Sequence, residues 1–503
     1  MIKVLNISQI READKVTILK ENISSYELME RASRLCFEEI KKIFLDKATS
    51  FTVFAGCGNN GGDGLAIARM LHEAGYSVKV VFINFGKISN DCEINLKKLP
   101  KNINVDFLDD DNFNFEINDN SVIIDSILGS GISRKPEGLV LKVINQINNL
   151  KNFVISIDLP SGLLADESSE AHSNSIVKAN FTITIGLPKL ALFMPENSLY
   201  FGNWILVQIG LDQDFIDNSE TNYFFLQKQD VSNLIKIRPK FAHKGNFGHA
   251  LIASGSKGFM GAAILAARAC LKSGCGLLTV HCPKNYSNII QTAVPAAMCS
   301  IDDAEEVISS IPNIDKYSAI SFGPGCSQDD KTAMALKLLI QNSSKPLILD
   351  ADGLNILANN KTWLAFLPKN TILTPHVGEF ERLFGKSKNG FERLQTAIEM
   401  SSKYNCIIVL KGAYSAIVLP DKKVFFNSTG NPGLAKGGSG DILTGLMTGL
   451  LAQGYLPYYA AILAVFIHGL AGDIAAEEHT EEAMNADDVI KNISNSWKNI
   501  LFC

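Results

Sequence analysis

The sequence predicts two doubly wound α/β domains, and three features of the chain lead to this fold class. Its 503 residues are enough for two or three domains, each with its own core. Short β-branched runs alternate with amphipathic stretches in both halves, an order that implies parallel sheets with helices on both faces. Because a polar, acidic stretch from 211 to 229 separates the two alternations, we place the domains at 1–215 and 225–503.

The first alternation defines the amino-terminal domain. The predicted strands are 51–55, 78–82, 121–125 and 153–158, and the predicted helices are 64–74 and 139–150. Between the first strand and the first helix, residues 56–64 contain five glycines together with amide and carboxylate side chains. Such a loop can hold phosphate with its backbone amides and a cation with its oxygens. A tight strand-to-helix turn is the alternative.

Two aspartates stand at the ends of predicted strands in this domain. Asp125 ends the run 121–125, and Asp158 ends the run 153–158. The carboxyl ends of parallel strands meet at one edge of a sheet, where ligands bind. Because buried carboxylates are unfavourable unless they are paired or bind a cation, two of them beside an oxygen-rich loop predict a site. For either aspartate alone, a helix cap is the alternative.

The second alternation defines the carboxy-terminal domain, with strands predicted at 249–253, 277–281, 319–322, 347–350, 371–374 and 406–410. Its most informative segment is 431–441, where glycines at 437, 438 and 440 precede the apolar run of a buried helix. Backbone amides at the positive end of a helix stabilise phosphate oxygens. Asp441 is then suited to accept a proton from a hydroxyl that attacks a phosphoryl group. A glycine-rich turn with a capping aspartate is the alternative. Lys436 is placed either to reach a phosphate or to face solvent.

Composition excludes several classes of protein. A net charge of -5 gives no electrostatic footprint for nucleic acid or an anionic membrane. Ten scattered cysteines without metal-ligand spacing argue against zinc and for reduced thiols in a cytoplasm, and the start of the chain shows no secretion signal. Residues 442–472 carry no acidic or basic side chain, but the break at 453–457 favours two buried helices over a membrane span. The acidic run 109–111 is expected to face solvent.

Taken together, the motifs of both halves resemble the family of bifunctional NAD(P)H-hydrate repair enzymes. In the first half the resemblance lies in residues 59–63, 125–131 and 158–162; in the second it lies in 243–248, 323–325, 374–376, 411–412 and 438–441. It covers nearly the whole chain. The resemblance implies an amino-terminal Rossmann-like three-layer domain that epimerises NAD(P)HX. It also implies a carboxy-terminal ribokinase-like domain that dehydrates (S)-NAD(P)HX with ADP or ATP.

The resemblance also implies roles for individual residues. In the epimerase domain Asp158 is the acid–base group, and a potassium ion lies near Asn60, Asp125 and Ser161. The hydrate contacts Asn59, Asn60, Gly61, Gly62, Asp63, Gly129, Ser130, Gly131, Ile132, Ser133, Arg134, Lys135 and Asp158. In the dehydratase domain the nucleotide phosphates contact Lys411, Gly412, Ala413, Tyr414, Ser415 and Gly440, and the hydrate contacts Ala262, Gly325, His376 and Asp441. Asp441 activates the substrate hydroxyl for phosphorylation, phosphate then leaves, and Mg2+ neutralises the charge of the nucleotide.

Two of these assignments depart from the family pattern or stay open. Gly325 is followed by Cys326-Ser327 where family members often carry a further glycine, which weakens the substrate contact there. His376 fits a structural histidine as well as a ligand. The expected partners are NADHX, NADPHX and ADP, in a cytoplasmic homo-oligomer that binds neither nucleic acid nor membrane. ADP is preferred because bacterial-type fusions of this family use it, but the sequence decides neither ADP against ATP nor NADHX against NADPHX.

Two other functions compete with this interpretation. A small-molecule kinase would use the element Gly438–Asp441 to phosphorylate a vitamin or sugar hydroxyl and stop there, but it has no need of a second hydrate site. Alternatively, the first half is a binding or dimerisation module, as similar domains have become in RNA-decay scaffolds. The strand-terminal Asp125 and Asp158 argue against this alternative.

Overall fold

The computed structural model describes residues 1–109, 113 and 115–502, so Asp110 and Asp111 of the acidic run and Cys503 lie outside the described residues. The chain forms two compact units. The amino-terminal unit comprises residues 2–221 together with 389–391, and the carboxy-terminal unit comprises Met1, 222–388 and the chain from 392 onward. The nine described cysteines are free thiols, as the sequence predicted.

The amino-terminal unit is built on one parallel sheet in the order β4-β3-β2-β5-β6-β7-β8. The strands are β1 (Ile2–Lys3), β2 (Ser50–Ala55), β3 (Ser77–Ile83), β4 (Asn104–Leu108), β5 (Val122–Ser126), β6 (Val154–Ile157), β7 (Phe181–Ile185) and β8 (Asn203–Val207). The helices are α1 (Ile7–Glu21), α2 (Ser25–Ile43), α3 (Asn59–Glu73), α4 (Asn90–Lys98), α5 (Gly138–Asn149), α6 (Ser198–Phe201) and α7 (Gln213–Asn218). The four predicted strands are present, whereas the sequence missed β1, β4, β7 and β8.

The first predicted helix, 64–74, corresponds to α3, which begins five residues earlier, at Asn59 instead of Gly64. Gly58 is the extended N-cap residue, and residues 59–63 form the first turn of α3 rather than a loop. Position 61 requires glycine, because a Cβ there would lie 1.9 Å from the carbonyl oxygen of Gly56. The chain therefore brings the helix amides directly against the end of β2.

Strand order reverses between β2 and β5, which are neighbours in the sheet although β3 and β4 lie between them in sequence. In a doubly wound sheet the crevice at such a switch point, beyond the carboxyl ends of the strands, is where ligands bind. The start of α3 follows β2, and residues 127–131 follow β5. The segments that the sequence singled out therefore meet at this crevice.

The carboxy-terminal unit has a larger, mixed sheet in the order β9-β18-β17-β16-β15-β14-β13-β10-β11-β12. Its strands are β9 (Tyr223–Phe225), β10 (His249–Ala253), β11 (Leu277–Cys282), β12 (Met298–Ile301), β13 (Ala319–Phe322), β14 (Leu347–Leu349), β15 (Ile372–Leu373), β16 (Ile407–Leu410), β17 (Ala416–Val418) and β18 (Val424–Phe426). The six predicted strands are β10, β11, β13, β14, β15 and β16, and they pair in parallel. The sequence missed the antiparallel pairs made by β17 with β16 and β18.

Helices cover this sheet and supply most of the apolar core of the unit. They are α8 (Lys228–Ser232), α9 (Met260–Lys272), α10 (Ser287–Ala293), α11 (Asp330–Asn342), α12 (Asp352–Asn359), α13 (Val377–Phe384), α14 (Gly390–Tyr404), α15 (Ser439–Ala452), α16 (Pro457–His479) and α17 (Ala486–Leu501). The uncharged stretch forms the two helices α15 and α16, as predicted. By length and composition α16 could cross a membrane, but 72% of its most apolar window is buried within the fold, which is typical of a core helix.

Two candidate active sites

A cavity of about 630 Å³ lies in the crevice of the amino-terminal unit. The predicted substrate residues that line it are Asn59, Asn60, Asp63, Gly129, Ser130, Gly131, Ile132, Arg134 and Asp158. Four predicted residues do not line it. Gly61 and Gly62 are buried against the backbone of Gly56 and the side chain of Met29, because α3 begins before them, while Ser133 and Lys135 are exposed.

Asp158 is held in a charged hydrogen-bonding network at the wall of this cavity. Its Oδ1 accepts from the ammonium group of Lys189, and its Oδ2 accepts from the backbone amide of Ser130 at 3.0 Å. Burial raises the pKa of Asp158, but the charge and hydrogen bonds of Lys189 and Ser130 outweigh burial, so the pKa is lowered. Asp158 also has a φ of 70°, a strained conformation for a residue with a side chain, of the kind that collects at functional sites.

Sequence reasoning missed four charged residues of the same cavity: Arg11, Asp14, Lys87 and Lys189. Lys189 is 1% exposed, and its Nζ also donates to the carbonyl oxygen of Ile185 at 2.7 Å. Burial raises the pKa of Asp14 to about 6; Lys189 lowers it and the charge of Asp158 raises it. The cavity therefore combines Asp158, whose pKa is lowered, with Asp14 and Asp63, whose pKa values burial raises. Carboxyl groups with pKa values shifted in opposite directions divide acid from base in many active sites.

Two of the predicted potassium ligands, Asp125 and Ser161, meet in a cluster of oxygen atoms, and the third, Asn60, is joined to it through the carbonyl oxygen of Leu128. The Asp125 carboxylate is buried and accepts hydrogen bonds from the Ser161 hydroxyl, the Ser161 amide at 2.9 Å and the Ser156 hydroxyl at 2.7 Å. Asn60 Nδ2 donates to the carbonyl oxygens of Leu128 and Ile157 at 2.9 and 3.2 Å. Its Oδ1 is buried without a hydrogen-bond partner among the described residues.

This oxygen cluster fits a cation of low charge density. It combines one carboxylate with amide, hydroxyl and carbonyl oxygens, whereas Ca2+ and Mg2+ usually recruit more charge. In the described part of the chain, no group of three His, Cys, Asp or Glu side chains could hold a metal ion. Burial raises the pKa of Asp125 and outweighs its hydrogen bonds, so a positive charge nearby would stabilise the ionised form. The buried Asn60 Oδ1 is a further oxygen without a partner among the described residues, whereas Nδ2 of the same side chain faces the carbonyl oxygens of Leu128 and Ile157.

In the carboxy-terminal unit the glycine-rich segment leads into the amino end of α15, as the sequence predicted. Gly438 is the N-cap residue with a φ of 96°, a conformation that favours glycine. Asp441 lies in the first turn of the helix. Burial, followed by the negative charge of Asp350, raises the pKa of Asp441 to about 7, although Lys411 opposes the shift. A carboxylate tuned to this range is well matched to a general base at neutral pH.

Asp350 joins the predicted nucleotide residue Lys411 to the glycine segment, and sequence reasoning assigned it no role. One of its carboxylate oxygens accepts from Lys411 Nζ at 2.9 Å, and the other accepts from the Thr444 hydroxyl of α15 at 2.8 Å. A Cβ built on Gly440 would lie 3.5 Å from both Asp350 Oδ2 and Lys411 Nζ. Burial lowers the pKa of Lys411, but Asp350 and Glu379 outweigh it, so the pKa is raised and the ammonium group stays charged.

A cavity of about 770 Å³ adjoins this group. Five of the six predicted nucleotide residues line it: Lys411, Gly412, Ala413, Ser415 and Gly440. The sixth, Tyr414, packs against Phe225 with ring centroids 6.4 Å apart. Lys436 is exposed and lines the cavity, but its Nζ donates to the carbonyl oxygens of Glu481, Glu482 and Met484 at 2.9, 2.6 and 2.7 Å.

The predicted hydrate residues of this unit do not all lie together. A Cβ on Gly325 would be 3.1 Å from Cβ of Ala262, so these two residues are neighbours, beside the point where strand order reverses between β10 and β13. His376 instead caps α13, where its Nδ1 accepts from the amides of Gly378 and Glu379 at 3.0 and 3.3 Å. Its ring lines the same 770 Å³ cavity as Lys411. The structural role that the sequence left open for His376 is therefore present, and its Nε2 lies 3.4 Å from Glu379 Oε1.

The fold and the two sites define a two-domain α/β protein with a cavity at the predicted site of each unit. Residues 25–191 match the family described as YjeF-related protein N-terminus, and residues 250–495 match the family described as NAD(P)H-hydrate dehydratase. A ribokinase-like superfamily protein from Enterococcus faecalis aligns with 56% of this chain and 98% of its own, with 26% identity and a TM-score of 0.50. The predicted fold class is confirmed in both halves.

Full-length relatives cover both domains at once. The chain is 32% identical to the bifunctional NAD(P)H-hydrate repair enzyme of Moorella thermoacetica, over 99% of this chain and 97% of the relative. It is 34% identical to the enzyme of the same name from Coxiella burnetii, over 96% and 97%. The chain therefore belongs to the family of bifunctional NAD(P)H-hydrate repair enzymes, as the sequence motifs indicated.

Proposed function

We propose that this protein repairs hydrated nicotinamide cofactors with its two units. The amino-terminal unit epimerises R- and S-NAD(P)HX, and the carboxy-terminal unit dehydrates S-NAD(P)HX to NAD(P)H at the expense of ADP. Family membership supports the pair of activities. The structural observation that carries the chemistry is Asp441, a carboxyl group with a pKa of about 7 beside Lys411 and the glycine amides.

In the dehydratase unit Asp441 takes the proton of the substrate hydroxyl as that oxygen attacks the terminal phosphoryl group of the nucleotide. The amides at the start of α15 and the ammonium group of Lys411 stabilise the phosphate oxygens. Once the oxygen–phosphorus bond has formed, phosphate leaves with the electron pair of the carbon–oxygen bond, and the adjacent carbon loses a proton, which forms the double bond of the dihydropyridine. Mg2+, which binds mainly through nucleotide phosphates, would neutralise their charge.

In the epimerase unit Asp158 acts as the acid–base group for the carbon that bears the hydroxyl. Lys189 and the amide of Ser130 orient its carboxylate toward the cavity. Asn60, Asp125 and Ser161 would hold a potassium ion, which would neutralise the Asp125 carboxylate. The hydrogen bonds of Asn60 and Ser161 to Leu128 join these residues to the segment 128–131. The charged cavity supports catalysis over the alternative of a binding or dimerisation module. Similarly, family membership favours the repair enzyme over a vitamin or sugar kinase.

Two further expectations accompany this proposal. A cytoplasmic location is supported by the nine free thiols of the described residues, which suit a reducing compartment. The predicted homo-oligomer stays a prediction that sedimentation of the purified chain would test.

The direct test is to incubate the purified chain with a mixture of NADHX isomers, ADP and Mg2+ and to follow the return of NADH absorbance. We expect complete conversion, because the epimerase supplies the isomer that the dehydratase consumes. An Asp158→Asn variant should convert one isomer quickly and the other at the slow spontaneous rate of epimerisation. Absence of any NADH, with ADP consumed by another hydroxyl compound, would favour the small-molecule kinase instead. A single fast phase in the Asp158→Asn variant would show that Asp158 is dispensable. It would favour a binding or dimerisation module in the first half.

A further inference from the structure

The cavity of the carboxy-terminal unit contains a polar atom that the roles described so far leave unused. His468 lies on α16 and lines the cavity, and its Nε2 is shielded from solvent without a hydrogen-bond partner among the described residues. An unpaired, buried polar atom is unfavourable by about 1 to 3 kcal/mol. Such atoms are rare in native proteins and are commonly satisfied by a ligand or an ordered water molecule.

The position of His468 is fixed by the packing of α16 on the segment that precedes the glycine-rich loop. The Thr429 hydroxyl donates to the carbonyl oxygen of Phe466 at 2.9 Å. At the next residue along the helix, a Cβ on Gly469 would lie 2.3 Å from Thr429 Oγ1. One turn further, Asp473 accepts from the amide of Gly430 at 2.9 Å and from Asn431 Nδ2 at 3.0 Å. These contacts fix the position of the His468 imidazole relative to residues 429–431, which precede the glycines at 437, 438 and 440.

The environment of His468 differs from that of the phosphate-binding groups. Val465, Leu443 and Leu434 line the cavity with it, whereas the phosphate groups belong to Lys411 and the start of α15. Burial, followed by the positive charge of Lys411, lowers the pKa of His468 to about 4. The imidazole is therefore neutral at physiological pH, with one ring nitrogen as donor and the other as acceptor. A neutral ring in an apolar wall suits an uncharged polar group and is a poor match for a phosphate.

We propose that His468 is a binding residue for the nucleoside part of the nucleotide, with Nε2 hydrogen-bonded to a ribose hydroxyl or to an edge of the base. This inference rests on the proposed function, which places a nucleotide in this cavity. It extends that function by separating a nucleoside-binding wall on α16 from the phosphate-binding end of α15. The cavity of about 770 Å³ has room for both parts of a nucleoside diphosphate.

The test compares a ligand that has a nucleoside with one that lacks it. Binding of ADP and of pyrophosphate, each with Mg2+, is measured by calorimetry for the wild type, His468→Leu and His468→Gln in the full chain. Loss of one buried hydrogen bond should weaken ADP binding by roughly tenfold in His468→Leu. Because glutamine can still hydrogen-bond, His468→Gln should recover part of this loss. Pyrophosphate should bind all three proteins equally.

His479→Leu provides a matched control, because His479 lies on the same helix with 39% of its side chain exposed. It should leave both affinities unchanged. Unaltered ADP binding by His468→Leu would overturn the inference, and so would equal losses for ADP and pyrophosphate, which would place His468 at the phosphates. Failure of the wild type to bind ADP would instead overturn the nucleotide site itself. The inference can also be tested without a variant, since ADP but not pyrophosphate should shift the His468 Nε2 resonance in a 15N-histidine NMR spectrum.

Discussion

Asp158 and Asp441 occupy comparable positions in the two units but have opposite acid–base properties. Each is a largely buried carboxyl group beside a cavity. Each also lies near backbone amides that are placed to bind a ligand. The pKa of Asp158 is lowered, whereas that of Asp441 is raised to about 7. Burial is the largest single influence on both, and it raises the pKa of each.

The difference comes from the nearest charged neighbour. Lys189 forms an ion pair with Asp158 and offsets the desolvation of its carboxylate. Asp441 faces the carboxylate of Asp350, and the nearby ammonium group of Lys411 is already paired with Asp350 at 2.9 Å. Burial alone therefore does not identify a general base. The sign of the neighbouring charge decides whether a buried aspartate stays ionised or titrates near neutral pH.

The largest effect is expected from replacing Asp441, the carboxylate whose pKa is raised to about 7. Asp441→Asn should lower the dehydration rate by about 10² to 10⁴, the usual loss for a general base, because the amide cannot accept the hydroxyl proton. Epimerisation should continue, since Asp441 and Asp158 lie in different units. The return of NADH absorbance measures dehydration, and chromatographic separation of the NADHX isomers measures epimerisation. A variant that keeps more than about a tenth of the wild-type rate would show that Asp441 is not the base.

Lys189 provides the corresponding test in the amino-terminal unit. Lys189→Met should destabilise this unit by about 3 to 5 kcal/mol, because it leaves the Asp158 carboxylate buried without its partner. Combining it with Asp158→Asn should restore much of the stability, since no unpaired charge then remains. Urea denaturation followed by tryptophan fluorescence and hydrogen exchange of residues 2–221 would measure both changes. Additive losses in the double variant would contradict a direct ion pair.

The sequence predicted the strands and the glycine segments because these depend on local patterns. The runs that became β2, β5 and β6 are β-branched and apolar over four or five residues, and their carboxyl ends carry the polar residues of the site. Asp125 and Asp158 were found because a carboxylate directly after an apolar strand is unusual. General rules for parallel strands then place these polar residues at one edge of the sheet. These features can be seen without knowing any tertiary contact.

The charged residues around Asp158 and Asp441 could not be found from local sequence patterns. Asp14 lies in α1 among other charged residues, and only the tertiary fold turns it toward the cavity. Lys189 follows β7, a strand that the sequence missed, and nothing local indicates that its ammonium group is buried. Asp350 was placed at the end of a predicted strand, but its contacts with Lys411 and Thr444 join residues 61 and 94 positions apart. Long-range pairing of charges has no local pattern in a single sequence.

A smaller effect is expected when the neighbour of Asp441 is changed. Because Asp441 must be ionised to act as a base and its pKa is about 7, the dehydration rate should rise with pH through neutrality. Asp350→Asn removes a negative charge that raises this pKa, so the rising limb should move to lower pH. Epimerisation should lack a rising limb there, because Asp158 is already ionised well below neutral pH. Rate profiles from pH 5 to 9 at constant ionic strength would show both results. If the rising limb stays at the same pH in Asp350→Asn, Asp350 does not raise the pKa of Asp441.

The smallest expected effect concerns the cation, which sharpens the comparison because it belongs to the amino-terminal unit alone. Asn60, Asp125 and Ser161 offer a single formal charge, and Asn60 Oδ1 is buried and unpartnered in the described structure. Epimerisation should therefore be faster in K+ than in Na+ or Li+ at equal ionic strength, by a few-fold because the ion positions residues without joining the chemistry. Asp125→Asn, which keeps the shape of the side chain, should weaken this dependence. Dehydration serves as the internal control and should be insensitive to the choice of monovalent salt. Equal epimerisation rates in all three salts would remove the potassium ion from the site while leaving the role of Asp158 intact.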